Sequence, residues 1–116
     1  RELNNRVITF DISAPSPPTN VSAVALNATT MTITWDLPTT PNGQITRYEI
    51  HYNVVEKSNL TSIMLLANQL PVLQAMIVGL KPFTRYQFKV RAATEERNVM
   101  WGNFSAITKA TTDEAG

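Results

Sequence analysis

The fold of this chain is decided by the stretch Gly79-Leu80-Lys81-Pro82-Phe83-Thr84-Arg85-Tyr86-Gln87-Phe88-Lys89-Val90-Arg91-Ala92, which reads as a corner followed by a strand. Pro82 fixes its own φ and has no backbone N–H, so it favours a turn over a continued ladder. Beyond the corner, apolar residues at positions 86, 88, 90 and 92 alternate with polar or basic residues at 85, 87, 89 and 91. This period of two predicts a strand with one apolar face and one basic face.

Tyr86 stands at the start of that strand, with Leu80 and Pro82 at short offsets before it. The spacing resembles the tyrosine corner of Greek-key sandwiches, in which the tyrosine hydroxyl bonds back to the backbone. Because a buried polar group needs a partner, we expect the Tyr86 hydroxyl to be hydrogen-bonded near the corner.

Composition limits the class of protein. The 116 residues suffice for one domain, and a hydrophobic fraction of 43% supports a core of ordinary size. A net charge of +1 gives no general attraction to nucleic acid or to a membrane surface. The absence of cysteine excludes a disulfide scaffold and a thiolate metal site. No apolar run approaches the length of a membrane span, so we expect a chain that is not membrane-inserted.

Short apolar-alternating runs recur about every ten residues and are separated by turn signals. Seven strands are predicted, at Val21–Leu26, Met31–Trp35, Arg47–Val55, Leu60–Ala67, Gln74–Val78, Arg85–Thr94 and Ala106–Thr112. Between the second and third strands, Asn42-Gly43 favours a turn with positive φ. With no convincing helix, this pattern predicts an all-β fold, a seven-stranded antiparallel Greek-key sandwich.

The predicted core follows from the inward phase of these strands and from the corner. It comprises Trp35, Tyr48, Ile50, Leu80, Pro82, Tyr86, Phe88 and Val90. The proline-dense run Ala14-Pro15-Ser16-Pro17-Pro18 is typical of a stiff connection between domains. We therefore assign residues 1–14 to a preceding-domain tail or linker, 15–112 to the domain, and 113–116 to the start of the next linker.

At this point the chain from about Pro15 to Thr112 resembles a fibronectin type III domain, an immunoglobulin-like sandwich. The motifs that carry the resemblance are Pro-Ser-Pro-Pro-Thr-Asn-Val at 15–21, Trp35, Pro-Asn-Gly at 41–43, Ile-Thr-Arg-Tyr-Glu-Ile-His-Tyr at 45–52, Ile77, Leu-Lys-Pro at 80–82 and Tyr-Gln-Phe-Lys-Val-Arg-Ala at 86–92. The lack of a Cys pair separates the chain from ordinary immunoglobulin domains, which join their sheets by a disulfide.

The resemblance implies a context. Such domains occur in tandem, in the ectodomains of receptors, adhesion molecules and receptor-type tyrosine phosphatases, or in matrix proteins, and a minority lie in intracellular muscle filaments. The implied partners are neighbouring fibronectin type III domains and an unidentified protein ligand. The implied location is the extracellular part of a single-pass plasma-membrane protein or the secreted matrix. Among these groups the chain looks most like the receptor-type tyrosine phosphatases.

Four sequons favour an extracellular location. They begin at Asn20, Asn27, Asn59 and Asn103. The last three fall in predicted turns or loops, where a glycan fits. The alternative is that all four are ordinary polar turn residues.

The run Trp101-Gly102-Asn103-Phe104-Ser105 resembles, in degenerate form, the Trp-Ser-x-Trp-Ser box of cytokine-receptor fibronectin domains. In that family the tryptophans stack between cationic side chains of the neighbouring strand. Here the outward residues Arg85, Lys89 and Arg91 supply a basic row, so a cation–π stack with Trp101 and Phe104 is expected. The alternative is an exposed Met100-Trp101 tip that contacts a partner.

The run Ile63-Met64-Leu65-Leu66 does not alternate as a strand buried on one face should. Met76 and Val78 also point outward if Ile77 points inward. Together these residues predict either an apolar patch on one edge, suited to a partner or to strand addition, or a strand covered by residues 69–74 or by the N-terminal segment.

Catalytic groupings are not found in the sequence. His51 shares an outward phase with Glu49, which predicts a surface pair, and one histidine does not make a zinc site. Glu95-Glu96 beside Arg97 is typical of a solvated turn. We expect no enzyme activity of this chain and no cofactor. The remaining functions are an extracellular spacer and adhesion module, a cytokine-receptor-type ligand module that uses the Trp101 loop, or an intracellular structural module.

Overall fold

The computed structural model describes residues 14–67, 73–95 and 98–115. These ranges form β1 (Thr19–Ala25), β2 (Met31–Asp36), β3 (Ile45–Val54), β4 (Thr61–Leu66), β5 (Gln74–Ile77), β6 (Arg85–Glu95), β7 (Val99–Trp101) and β8 (Thr108–Thr111), with no helix among them. The predicted tail at residues 1–13, most of the 69–74 loop, and Glu96-Arg97 lie outside the described residues.

The strands form two antiparallel sheets. The smaller sheet has the order β1-β2-β5, and the larger has the order β4-β3-β6-β7, with β8 also paired to β6. The inward residues of both sheets form one core, so the predicted all-β antiparallel sandwich is confirmed.

The described residues form eight strands where the sequence predicted seven, because the last edge strand is split. β7 and β8 both pair with β6, with Trp101 opposite Ala93 and Thr108 opposite Phe88. The sequence predicted a loop from Glu95 to Phe104, which was wrong for β7. Three residues give too short a pattern for a strand to be recognised from periodicity.

Burial follows the alternation that the sequence shows. Met31, Ile33 and Trp35 of β2 are buried, and so are the inward residues of β6. The described core consists of Met31, Ile33, Trp35, Tyr48, Ile50, Ala67, Ile77, Leu80, Tyr86, Phe88, Val90 and Ala92. The core prediction was wrong for one residue, since Pro82 is exposed. It lies in the turn at one pole, where its ring fixes the backbone without entering the core.

The corner has the hydrogen bond expected of it. The backbone N–H of Lys81 donates to the hydroxyl of Tyr86 over 2.9 Å. Phe83, between them, has a φ of 46° and an exposed side chain, a left-handed conformation that the sequence did not predict. The predicted positive φ at Asn42 and Gly43 is present, at 57° and 139°.

Candidate functional site

The outer face of the larger sheet carries the charged residues of β3 and β6 in register. Glu49 lies opposite Arg91, and His51 lies opposite Lys89. Because the even-numbered residues of β6 point into the core, Lys89 and Arg91 project from the outer face as neighbours two residues apart.

Next to this row, the chain between β7 and β8 leaves the ladder and is fixed at both ends. Gly102 donates its N–H to the carbonyl of Ala92 over 2.8 Å, and Ser105 donates to Val90 over 2.8 Å. The Ser105 hydroxyl also accepts the N–H of Val90 at 3.1 Å. Only residues 103 and 104 lie between these two anchors. The excursion therefore positions Phe104 over the outer face of β6.

The aromatic and cationic side chains alternate in a stack, which we call the cation–π ladder: Trp101, Arg91, Phe104 and Lys89. The guanidinium carbon of Arg91 lies 4.4 Å from the centre of the Trp101 ring and 4.9 Å from that of Phe104. The Lys89 ammonium lies 4.5 Å from the centre of the Phe104 ring. These distances fall within the range in which a cation is attracted to a ring face.

Glu49 and His51 complete this arrangement from β3. Arg91 donates its Nε–H to Oε1 of Glu49 over 2.8 Å, and its Nη2 bonds to the same oxygen. His51 Nε2 lies 3.3 Å from that oxygen, and its ring lies 4.6 Å from the ring of Phe104. The His51–Glu49 pair was expected, but both side chains are more than four-fifths buried, because Arg91 and Phe104 cover them.

The packing of the chain requires glycine at position 102, which the resemblance to the cytokine-receptor box did not reveal. A Cβ at this position would overlap the backbone carbonyl oxygen of Pro15. The serine found at this place in the cytokine-receptor box would meet the same obstacle. Gly102 thus lets the N-terminal segment pack directly on the edge of the larger sheet.

The structure separates the predicted basic row. Lys89 and Arg91 enter the cation–π ladder, whereas Arg85 is exposed at the far end of β6 and takes no part in it. Met100 lies opposite Thr94 and is half-buried. Trp101 is likewise half-buried and has Arg91 over one face of its ring. The expected alternative of an exposed Met100-Trp101 tip therefore fits this loop poorly.

The four sequon asparagines are exposed. Asn20 lies within β1 at a break in register, with a φ of 52°, and donates to Asp36 over 2.7 Å. Asn27 accepts the N–H of Thr29 over 2.9 Å in the turn after β1. Asn59 precedes β4, and Asn103 lies in the excursion between β7 and β8.

The apolar residues expected on one edge are exposed, and they divide between the two sheets. Met64 and Leu66 of β4 are 55% and 60% exposed. The segments expected to cover this strand lie largely outside the described residues. Met76 and Val78, at 60% and 65% exposed, belong to β5 and the residues after it. Ile63 and Leu65 point inward, so β4 does alternate.

Within the described residues, no cluster of three or more His, Asp or Glu side chains is placed to hold a metal ion. The same ranges hold no helix with the length and apolar character needed to cross a bilayer. Glu95, at the end of β6, pairs with Arg47 over 2.9 Å.

Two antiparallel sheets, a tyrosine corner and the absence of a disulfide define a Greek-key sandwich outside the ordinary immunoglobulin type. Residues 16–108 match the family model described as fibronectin type III domain. The chain belongs to the fibronectin type III family, as its motifs predicted. Domains of this family are generally non-catalytic.

Curated relatives include much longer proteins. Ephrin type-A receptor 5 of Rattus norvegicus is 37% identical over 87 residues, which are 75% of this chain and 8% of the receptor. Neogenin of Mus musculus is 30% identical over 71% of this chain and 5% of that protein. Tyrosine-protein phosphatase Lar of Drosophila melanogaster is 46% identical over 38% of this chain and 2% of the phosphatase. The chain thus spans a small part of each.

Solved structures also show the similarity to fibronectin type III domains. The FN5 domain of Drosophila Lar superposes with a TM-score of 0.69 at 26% identity, covering 88% of this chain and all of that domain. The FN1-FN3 domains of chicken CNTN1 give a TM-score of 0.71 at 22% identity, covering 86% of this chain and 31% of that one. At 22% identity, the second match shows a similarity of fold alone.

Proposed function

We propose that this chain is a non-catalytic extracellular module of a multi-domain cell-surface receptor, which spaces its neighbouring domains and contacts other proteins. The single observation that carries the proposal is that the described chain enters the sandwich at Ala14 and leaves it at Asp113, at opposite poles. The family, and relatives that are themselves named as receptors and as a tyrosine phosphatase, give the setting.

The chain is held at the first pole by the loop after β2. Ser16 donates its N–H to Thr40 over 2.9 Å, and the Asn42 side chain donates to the carbonyl of Ala14 over 3.0 Å. Pro15 and Pro18 are buried there. The incoming segment is thus bonded to the sandwich before β1 begins.

The opposite pole holds the outgoing chain. Phe83 donates its N–H to the carbonyl of Asp113 over 3.0 Å, and Asp113 donates to Asn27 over 3.3 Å. β6, with 11 residues, runs from one pole to the other. At a rise of about 3.3 Å per residue it separates them by roughly 35 Å. Ends fixed in this way transmit a set distance and direction to the neighbouring domains.

The cytokine-receptor-type use of the Trp101 loop receives less support, since the cations face the rings of their own chain. Four exposed sequons favour the extracellular setting over an intracellular filament. Under this proposal, a receptor-type tyrosine phosphatase is one kind of larger protein that contains such a module.

The spacer role is tested by a distance measurement. Because the chain has no cysteine, spin labels can be placed on cysteines introduced at Ala14 and Glu114. Pulsed electron resonance is expected to show one narrow distribution centred on a distance comparable with the separation of the poles. A broad distribution, or a mean of half that length, contradicts a rigid spacer.

The extracellular setting has its own test. The chain is secreted from mammalian cells and treated with an N-glycosidase, and a fall in mass is expected. An Asn→Gln change at a sequon that carries a glycan should reduce this fall in mass, and a change at an unoccupied sequon should leave it as it was. Asn53→Gln, outside any sequon, should not change it. A secreted wild-type chain with no shift argues against this setting.

A further inference from the structure

Among the described strands, β4 is the outermost of the larger sheet, and the backbone groups on its outer edge can be assigned residue by residue. Ala67 donates its N–H to Thr46 on β3 over 2.8 Å. In an antiparallel ladder, alternate residues turn their backbone groups toward and away from a given neighbour. Thr61, Ile63 and Leu65 therefore bond to β3, and Ser62, Met64 and Leu66 direct their N–H and C=O groups outward.

This edge lacks the features that normally protect an exposed strand. Its register with β3 is continuous over six pairs, from Arg47–Leu66 to Tyr52–Thr61. Residues 61–67 contain no proline and no charged side chain. Natural sheets usually blunt an edge with a charge, a proline, a bulge or a short strand.

The other edges of the sandwich do carry such features. The opposite edge of the larger sheet is interrupted between β7 and β8. In the smaller sheet, β1 has a register break between Thr19 and Ser22, and β5 has only four residues. Among the edges formed by the described residues, β4 is the one without a feature that would hinder pairing with another strand.

We propose that two copies of this chain associate by antiparallel pairing of β4 with β4 about a two-fold axis. The two five-stranded sheets then become one continuous sheet. Of the registers that pair outward-directed residues, those that place Met64 opposite Met64 or Leu66 of the second copy bring the apolar side chains together. The exposed Met64 and Leu66 side chains of both copies form an apolar strip beside the new ladder.

The charge distribution favours a second copy as the occupant. β4 is neutral, so two copies bring no like charges into contact. On the adjacent β3, Arg47 pairs with Glu95, and Glu49 pairs with Arg91 within each copy. An isologous interface needs a surface that is complementary to itself, and a neutral apolar edge meets that condition.

The interface is small, so the association is weak. One strand pair with four apolar side chains belongs at the low end of interface sizes, with a Kd of roughly 10 µM to 1 mM. Sedimentation equilibrium over that concentration range, on bacterially produced chain without glycans, should show a monomer–dimer equilibrium.

Two substitutions at one residue give a directed test. Met64→Lys places a charge on the edge, and Met64→Pro removes an N–H that does not bond to β3, so both variants should keep the fold. Each should weaken dimerisation at least tenfold. Met76→Lys is the matched control, since Met76 is equally exposed but lies on the other sheet, and it should leave the dimer unchanged.

Hydrogen exchange supplies a readout at single residues. The amides of Ile63 and Leu65 should be protected at all concentrations, whereas those of Ser62, Met64 and Leu66 should gain protection only as the dimer forms. A wild-type chain that stays monomeric throughout overturns the proposal. So does a dimer that Met64→Lys and Met76→Lys weaken equally, or one that forms without protecting these three amides.

Discussion

The hydroxyl of Tyr86 shows how much one polar atom contributes at the corner. It accepts the Lys81 N–H over 2.9 Å while its ring lies in the core. Tyr86→Phe keeps the ring and removes the acceptor, so the free energy of unfolding should fall by about 1 kcal/mol. Urea unfolding measures this loss. Tyr52→Phe is the control and should change little, because phenylalanine keeps the ring contacts of Tyr52 with Tyr86 and Phe88. Equal losses in both variants contradict the assignment.

Tyr48 is the opposite case: its buried hydroxyl makes no well-formed hydrogen bond to any of the described residues, although Trp35 lies beside it. Burial raises its pKa above the ordinary 10.0, and the neighbouring Trp35 partly offsets the rise. Above pH 10 the unfolded chain loses this proton while the folded chain retains it, so Tyr48 lowers the stability as the pH increases toward the folded pKa.

Tyr48→Phe should therefore stabilise the chain most at alkaline pH. At pH 7 the variant should be as stable as the wild type or somewhat more stable, because removing a buried hydroxyl that lacks a good partner removes its desolvation cost. Between pH 10 and 11 the variant should lose less stability than the wild type. Urea unfolding at these pH values measures both quantities, and parallel losses count against this role for Tyr48.

The inward face of β6 was predictable residue by residue because its period of two is local information. Other features depend on distant parts of the chain. Pro82 was expected in the core as part of the tyrosine corner, yet it is exposed. The need for glycine at position 102 comes from Pro15, 87 positions away, and no local pattern contains it.

At the scale of elements, the cation–π ladder ties β3, β6 and the split edge strand together through Arg91. Arg91→Ala removes the contacts to both rings and leaves Glu49 without its guanidinium. Stability should fall by about 1–3 kcal/mol. The emission of Trp101 should shift to the red as the ring gains solvent. Arg85→Ala, on the same strand, should do neither, since Arg85 is exposed and lies outside the ladder.

A different result would reassign this surface. If Arg91→Ala leaves stability and emission unchanged while a partner's binding is lost, the loop is a ligand site rather than a structural stack. The ladder members were predicted from residue types and from the resemblance to the cytokine-receptor box. The part played by Glu49 and His51 was missed, since their register with Arg91 and Lys89 depends on the pairing of β3 with β6.

At the scale of the whole molecule, the sandwich followed from seven short β-prone runs and the turn signals between them. What periodicity does not give is the sheet to which each strand belongs. Met64 and Met76 were expected to share one apolar patch, yet they lie on β4 and β5 of different sheets. Sheet membership depends on non-local pairing, and a single strand's pattern is the same in either sheet.

The N-terminal segment also belongs to this scale, because it joins the start of the chain to the last edge strand. Residues 14–18 read as a stiff connection, but Pro15 and Pro18 are buried and Pro15 packs on Gly102. Gly102→Ala forces this contact apart while the N–H of residue 102 still reaches Ala92. In the full chain we expect a loss of about 1–3 kcal/mol, as for other overpacked sites.

The same substitution in a chain that begins at Thr19 isolates the cause. That chain lacks Pro15, so the atom nearest to the added Cβ becomes the carbonyl oxygen of Ala92, at an ordinary 3.5 Å. The loss should then nearly vanish, and a small gain from reduced freedom of the unfolded chain is also consistent. Urea unfolding of the four proteins gives the coupling between the two changes, expected at about 1 kcal/mol or more. If Gly102→Ala costs as much in the shortened chain as in the full one, strain within the edge strand is the cause, and the N-terminal segment does not constrain Gly102.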